Sequence, residues 1–246
     1  MVTMTGRRGL PAERAFYLFM VFAIIGAVFL GFAQTFFLRP LFPHVVAARE
    51  PLFYVHGAIF VTWIALLGLQ ASLIAAGNPA THRRLGVVAF GLVPLMLAIG
   101  VYAALVGAHR PTGFTGVPET PLHFLGVLFA WIAMFCIFAG LALHWRRDPQ
   151  THKRLMLLAA INLAEAGVVR WPFALFTTAT SELTAFWVTC LFLVPLALWD
   201  IATLRRLHPA TLWGGLAFIA YGPLREALAS TPQWQTIAKA LVGLLG

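Results

Sequence analysis

The chain has 246 residues, of which 61% are hydrophobic and only 10% charged, with a mean hydropathy of +0.86 and a formal net charge of +9. Soluble domains carry about 25% charged residues, so this composition excludes an ordinary soluble globular domain. Apolar runs of membrane-crossing length recur along the chain, and in lipid their backbone groups must be satisfied internally, which leaves helices or a closed barrel. Barrel strands alternate polar and apolar residues, and these runs do not.

The expected fold is all-α: a polytopic membrane bundle forming one membrane domain, residues 1–246. About seven spans are predicted, at 15–38, 53–76, 85–107, 122–144, 154–176, 184–204 and 211–228. The first follows Arg7, Arg8 and Arg14. Its apolar stretch exceeds a signal-peptide core, so it is expected to be a retained anchor. Pro51 and Pro121 suit the first turns of the second and fourth spans. Thr81 and Thr151 are placed to cap the helices that follow them. Pro94, Pro172 and Pro195 are expected to kink spans or mark their ends. The stretch 108–121, with Gly113, Gly116 and Pro118, has no periodicity and reads as a long loop. The tail, residues 231–246, is too short to cross and is predicted to lie in the interface as a helix, with Trp234 and Lys239 near the headgroups. Cys136 and Cys190 both fall inside apolar runs and make no disulfide framework.

The basic residues are asymmetric. Arg7, Arg8, Arg14, Arg83, Arg84, Arg146, Arg147, Lys153, Arg154, Arg205 and Arg206 fall on one side of that topology, against Arg39, Arg49 and Arg110 on the other. The positive-inside rule then places the N-terminus and the loops near 80 and 150 in the cytoplasm. The expected location is a bacterial cytoplasmic (inner) membrane. The positive charge speaks for topology and lipid contact, not for nucleic acid.

Residues 78–85, Asn-Pro-Ala-Thr-His-Arg-Arg-Leu, return at 148–155 as Asp-Pro-Gln-Thr-His-Lys-Arg-Leu. Each copy joins two apolar runs, and each incoming run starts near a histidine, His56 or His123, followed by Trp63 or Trp131. A duplicated hairpin, about 53–107 and 122–176, is therefore expected to build a four-helix core, with the remaining spans outside it. Span parity puts His56 and His123 at the outer level and His82 and His152 at the inner level. Each pair is positioned to hold a haem iron or another metal between facing helices. His56, Trp63 and Gln70 are spaced by seven and share a helix face, and a polar stripe in a membrane points into the bundle. Thr-His-Arg-Arg-Leu equally describes a capped cytoplasmic hairpin with headgroup anchors, so interface and ligand roles both stand for His82 and His152. His44, His109, His144 and His208 read as interfacial.

The fifth span carries Asn162, Glu165 and Arg170. Intramembrane ionisable groups default to function or to a paired structural role. Glu165 and Arg170 are about 140° apart on a straight helix, so either a kink before Pro172 joins them or each finds a partner on another span. Arg170 is suited to neutralising a haem propionate or an anionic headgroup, and Glu165 to relaying a proton or accepting a hydrogen bond as a neutral acid. Glycine-rich phosphate loops, metalloprotease motifs and paired-cysteine metal sites are absent from the sequence. Lys153 and Lys239 are the only lysines, and neither lies mid-span as a retinal Schiff base requires.

His56-Gly57, Trp63, Gln70 and Thr81-His82-Arg83-Arg84-Leu85-Gly86 resemble a group of bacterial multi-span proteins with a His-Arg-x-Leu-Gly motif, a likeness that brings no activity with it. The layout is similar to the four-histidine transmembrane b-type cytochromes of the ascorbate type. That likeness implies haem b, one or two, ligated by His56 with His123 and by His82 with His152, and electron exchange with a quinone, a small reductant or a membrane protein partner, as in a membrane oxidoreductase. Two further classes stand beside it. One is a cofactor-free transporter or accessory subunit, since transporters also use parallel repeats. The other is a histidine-ligated non-haem metal enzyme.

Overall fold

The computed structural model describes residues 11–45, 50–114, 120–173 and 181–246. Arg7, Arg8, Arg49, Gly116, Pro118 and the end of the fifth predicted span, 174–176, lie outside them. The described residues form helices and connections, with no strand. In chain order the helices are α1 Pro11–Phe32, α2 Pro51–Ala75, α3 Pro79–Gly86, α4 Val88–His109, α5 Pro121–His144, α6 Pro149–Val168, α7 Ser181–Cys190, α8 Leu193–Leu204, α9 Pro209–Ala229 and α10 Pro232–Gly243. The first continues into a π-helical turn, Ala33–Phe37.

Among the described residues five stretches are long and apolar enough to cross a membrane: Pro11–Phe37, Pro51–Ala75, Pro79–His109, Pro121–His144 and Leu183–Leu204. The surface has the inverted polarity that lipid demands. Phe19 and Trp213 are each 68% exposed, whereas Arg154, Glu165, Asp200 and Arg225 are buried.

Packing runs around a ring, α1–α2–α4–α5–α6 and back to α1, with α7, α9 and α10 against its flank and α8 packed on α7 and α9. The first span, expected outside a four-helix core, instead closes the ring between α2 and α6. Small residues permit that closure. A Cβ on Gly31 of α1 would stand 1.9 Å from the Gly167 carbonyl oxygen of α6, and one on Gly167 would stand 2.7 Å from the Val28 Cα. Trp171, just past α6, donates from its indole N–H to the Ala27 carbonyl at 3.0 Å and ties the same two elements. In lipid, such close backbone approach is how helices associate without a hydrophobic drive.

The prolines punctuate as expected at Pro51 and Pro121, each in a first turn. Pro94 lies inside α4, Pro172 follows α6, and Pro195 falls in the first turn of α8. The sixth predicted span is two helices, because the chain turns at Leu191 and Phe192. The tail is helix α10, packed on α5 and α4. Trp234 donates to the Leu122 carbonyl at 2.8 Å and lies against Gly126.

Candidate functional site

Each of the two similar segments joins one helix to the next, α2 to α3 and α5 to α6, and each opens on an Asx-Pro pair. Asn78 and Asp148 are the N-caps, not Thr81 and Thr151. The Asn78 side-chain oxygen accepts from the Thr81 backbone N–H at 3.2 Å, and Asp148 accepts from the Gln150 N–H at 3.0 Å and from the Thr151 hydroxyl at 2.5 Å. The prolines at 79 and 149 then occupy the first helical position, where a missing N–H costs nothing. An Asx residue directly before proline was the signal for this, and it moves each cap three residues upstream.

With the caps there, His82 and His152 fall in the first turn and reach back to the helix before them. His152 donates from Nδ1 to the Ala142 carbonyl at 2.8 Å. His82 places Nδ1 3.4 Å from the Gln70 carbonyl. The Gln70 amide, turned with its nitrogen toward the ring, meets the same Nδ1, donates to the His82 carbonyl at 3.0 Å and accepts from the Gly86 N–H at 3.1 Å. The two imidazoles come together, ring centroids 6.3 Å apart and planes at 82°. This joins the expected inner pair.

The expected outer pair is not joined in the same way. His123 contacts Glu226 of α9 at 3.0 Å through Nε2, with the Ser230 hydroxyl 3.4 Å from its Nδ1. His56 instead lines a partly open cavity of about 530 Å3 among the helices of the five-helix ring, and His123 is not among the residues lining that cavity. The reason is α9, whose Glu226 turns the His123 ring toward the flank of the bundle. His56 stacks on Phe60, with centroids 4.3 Å apart. Below it Trp63 is buried edge-on against Phe135, so the stripe of His56, Trp63 and Gln70 faces inward as its spacing predicts.

Three polar atoms of residues lining this cavity are buried without a hydrogen-bond partner: His56 Nδ1, Thr35 Oγ1 and Asn162 Oδ1. Thr35 is carried on the π-helical turn. The Asn162 amide nitrogen is already engaged, donating to the Trp131 carbonyl at 3.0 Å. Arg110 and Arg170 also line the cavity. Arg110 pairs with Glu50 at 3.0 Å, and Arg170 donates to the Ala166 carbonyl with its guanidinium 4.8 Å over the Phe32 ring.

Glu165 finds its partner on another helix. It accepts from both terminal nitrogens of Arg225, at 2.5 and 3.0 Å, and from the Trp131 indole N–H at 2.8 Å. Arg225 also meets the Tyr221 hydroxyl at 3.2 Å and the second carboxylate, Glu226, at 3.1 Å. An unbroken polar chain therefore leads from Trp131 through Glu165, Arg225 and Glu226 to His123. Toward the other end of α6, Arg154 is not the loop charge that its position suggested. It is 1% exposed and forms an ion pair with Asp200 of α8. Asp200 also accepts from the Thr211 hydroxyl at 2.5 Å and the His208 N–H at 3.1 Å. Lys153 likewise pairs with Glu13. His208 caps α9, accepting from the Ala210 N–H at 3.1 Å. Burial, assisted by the nearby Arg154 charge, lowers its pKa below the ordinary 6.5 and keeps the acceptor nitrogen unprotonated.

The sequence pattern by itself does not single out Arg225, Asp200, Glu226 or Arg154 as site residues. Each carried a signal, a charge inside an apolar helix, but pairing them required knowing which helices are neighbours. No group of three or more histidine, cysteine or acidic side chains gathers to hold a metal ion among the described residues. No family model, curated protein or solved structure matches this chain.

Proposed function

We propose that this chain is a membrane-embedded electron-transfer protein of the b-type cytochrome kind, holding haem b at the inner level between His82 and His152 and exchanging electrons with a quinone or a small reductant. The observation that carries this is the pair of imidazoles brought to 6.3 Å by the two hairpins. A separation of that size is on the order of what two imidazoles sharing one metal would need, at metal–nitrogen distances of about 2.0–2.1 Å. His152, donating from Nδ1 to a carbonyl, leaves Nε2 as the coordinating atom, the usual arrangement of a ligating histidine. At His82 the Gln70 amide nitrogen faces Nδ1, so ligation through Nε2 there would require the Gln70 amide to turn and leave Nδ1 free to donate to the Gln70 carbonyl. Haem would supply one-electron transfer, and His82 and His152 would hold it. Two histidines suffice for haem, whereas a structural zinc site takes four protein ligands and a catalytic one three. A second haem level on His56 and His123 lacks this support, since His123 is engaged by Glu226.

The seven-span topology belongs to the same proposal, with α6 and α9 as the two further spans. It is supported by the levels at which side chains meet. His123 at the start of α5 meets Glu226 near the end of α9, and Arg154 at the start of α6 meets Asp200 near the end of α8. Arg83, Arg84, Arg146, Arg147, Arg205 and Arg206 are exposed on the side carrying the repeated hairpins. That side faces the cytoplasm of a bacterial inner membrane under the positive-inside rule.

A second reading, a cofactor-free transporter or accessory subunit, is favoured by the cavity within the ring. Oxidised and reduced absorption spectra of the purified protein, expressed with adequate haem, decide between them. A Soret band and an α-band that sharpens on reduction are expected. A protein that folds and shows neither sinks the cytochrome proposal.

A further inference from the structure

We propose that the cavity within the five-helix ring binds the ring of a membrane quinol, with Asn162 Oδ1 accepting a hydrogen bond from a ring hydroxyl and His56 and Thr35 meeting the other polar edge. The cavity carries this by itself. It does not require haem at His82 and His152.

At about 530 Å3 the cavity falls within the range of small-molecule sites, about 300–1,000 Å3, and it has their usual character, apolar walls with a few convergent polar groups. The walls are largely aromatic. Phe36, Phe60, Trp131 and Phe135 come from two helices, α2 and α5, and the π-helical turn. Flat faces from several directions suit a flat ring. Gly57 lets one of them in, because a Cβ there would stand 2.5 Å from the Phe36 ring. The π-helical turn, a deviation that recurs at functional sites, brings Thr35 to the same space.

The polar groups select the ligand. A buried polar group without a partner is costly and calls for an explanation. Asn162 is 2% exposed, and its amide nitrogen is used. Its oxygen is an acceptor, so the ligand must bring a donor deep into the ring of helices. A fatty acid with its carboxylate at Arg170 would put only methylene groups there and leave the atom unsatisfied. A quinol brings a hydroxyl. The oxidised quinone has only acceptor oxygens, so Asn162 should favour the reduced form. His56 Nδ1 and the Thr35 hydroxyl are less selective, since each can donate or accept.

The test uses the full chain in detergent micelles and follows saturable quenching of tryptophan fluorescence, to which Trp131 in the cavity wall contributes. The probes are decylubiquinol, decylubiquinone and decanoic acid. Saturable quenching by the first two is expected, with no competition from decanoic acid. His56→Phe should weaken both redox forms by about tenfold, the usual effect of losing one buried hydrogen bond. Asn162→Leu should weaken the quinol by about tenfold and the quinone by less than about twofold. If Asn162→Leu does not fold, the His56→Phe result decides. Absence of saturable quenching in the folded wild type, displacement by decanoic acid, or unchanged affinity in His56→Phe overturns the proposal. None of these readouts uses the haem spectrum, so this site and the cytochrome proposal stand or fall separately.

Discussion

Glu165 on α6 and Arg225 on α9 form a bidentate ion pair with side chains 0% and 1% exposed, deep within a chain that has only 10% charged residues. The Trp131 indole N–H completes the carboxylate, and the rings of Trp131, Tyr221 and Phe186 lie 5.1–5.2 Å from the guanidinium. Pairing is what makes these charges tolerable in a medium that cannot solvate them. Because Trp131 also lines the cavity, the pair fixes one wall of the candidate ligand site.

Removing one partner of that pair should cost more than removing both. Glu165→Ala leaves Arg225 buried beside one half-exposed carboxylate, and a loss of about 3–5 kcal/mol is expected. Arg225→Met should cost a similar amount. The double substitution Glu165→Leu with Arg225→Met should recover a large part of either loss. Thermal unfolding of the three variants in one detergent checks this, and strictly additive losses would show that the two residues act independently.

The α1–α6 contact sets a second expectation. Gly31→Ala drives a methyl group into the Gly167 backbone, which cannot move aside as a side-chain tip can, and should cost about 3 kcal/mol or more. Gly26→Ala, on the same helix with nothing within 4 Å of the new Cβ, should be neutral or slightly stabilising. Equal losses in the two variants, measured by thermal melting, would remove the close approach of α1 to α6 as the reason for its place in the ring.

The two caps should differ in their response to pH. Asn78→Ala and Asp148→Ala should each lose about 1 kcal/mol at neutral pH. The Asp148 carboxyl lies below its ordinary 3.8, held there chiefly by the Thr151 hydroxyl and also by the Gln150 N–H, against the opposing effect of partial burial. A lowered folded-state pKa means that the ionised form belongs to the folded protein. Its contribution is complete above 3.8 and is lost as pH falls through the lowered value. The stability difference between wild type and Asp148→Asn should therefore be flat above pH 4 and shrink below it, while that for Asn78→Ala stays flat throughout. A shrinking difference for Asn78→Ala would mean that the effect comes from elsewhere.

Histidine substitutions separate the expected ligand pairs. If haem lies at the inner level, His82→Ala and His152→Ala should each abolish the low-spin reduced spectrum. His123→Ala should keep it, and should lower the melting temperature because Glu226 loses one of its two partners, keeping only Arg225. The opposite pattern, with the spectrum dependent on His123 and indifferent to His152, would move the site to the outer level.

Much of this was determined by the sequence alone. Composition and run length set the all-helical membrane class because lipid leaves the backbone no alternative. Two similar segments, each with an Asx-Pro start and a histidine three residues after the proline, set the same cap and the same first-turn histidine at the start of α3 and of α6, since capping and first-turn geometry are local. A seven-residue spacing set the inward face of α2, since helical periodicity is local too. Neighbour choice was decided only by the tertiary structure. A charge at 165 announces a partner but cannot say whether it is Arg170 or Arg225, because that depends on which helix faces Glu165. The parity of the spans put His56 and His123 at one level, yet α9, inserted beside α5, turned His123 to Glu226 and left His56 to the cavity. The cavity itself belongs to no segment. It exists because Gly31 and Gly167 let α1 close a ring whose five members the chain order does not name.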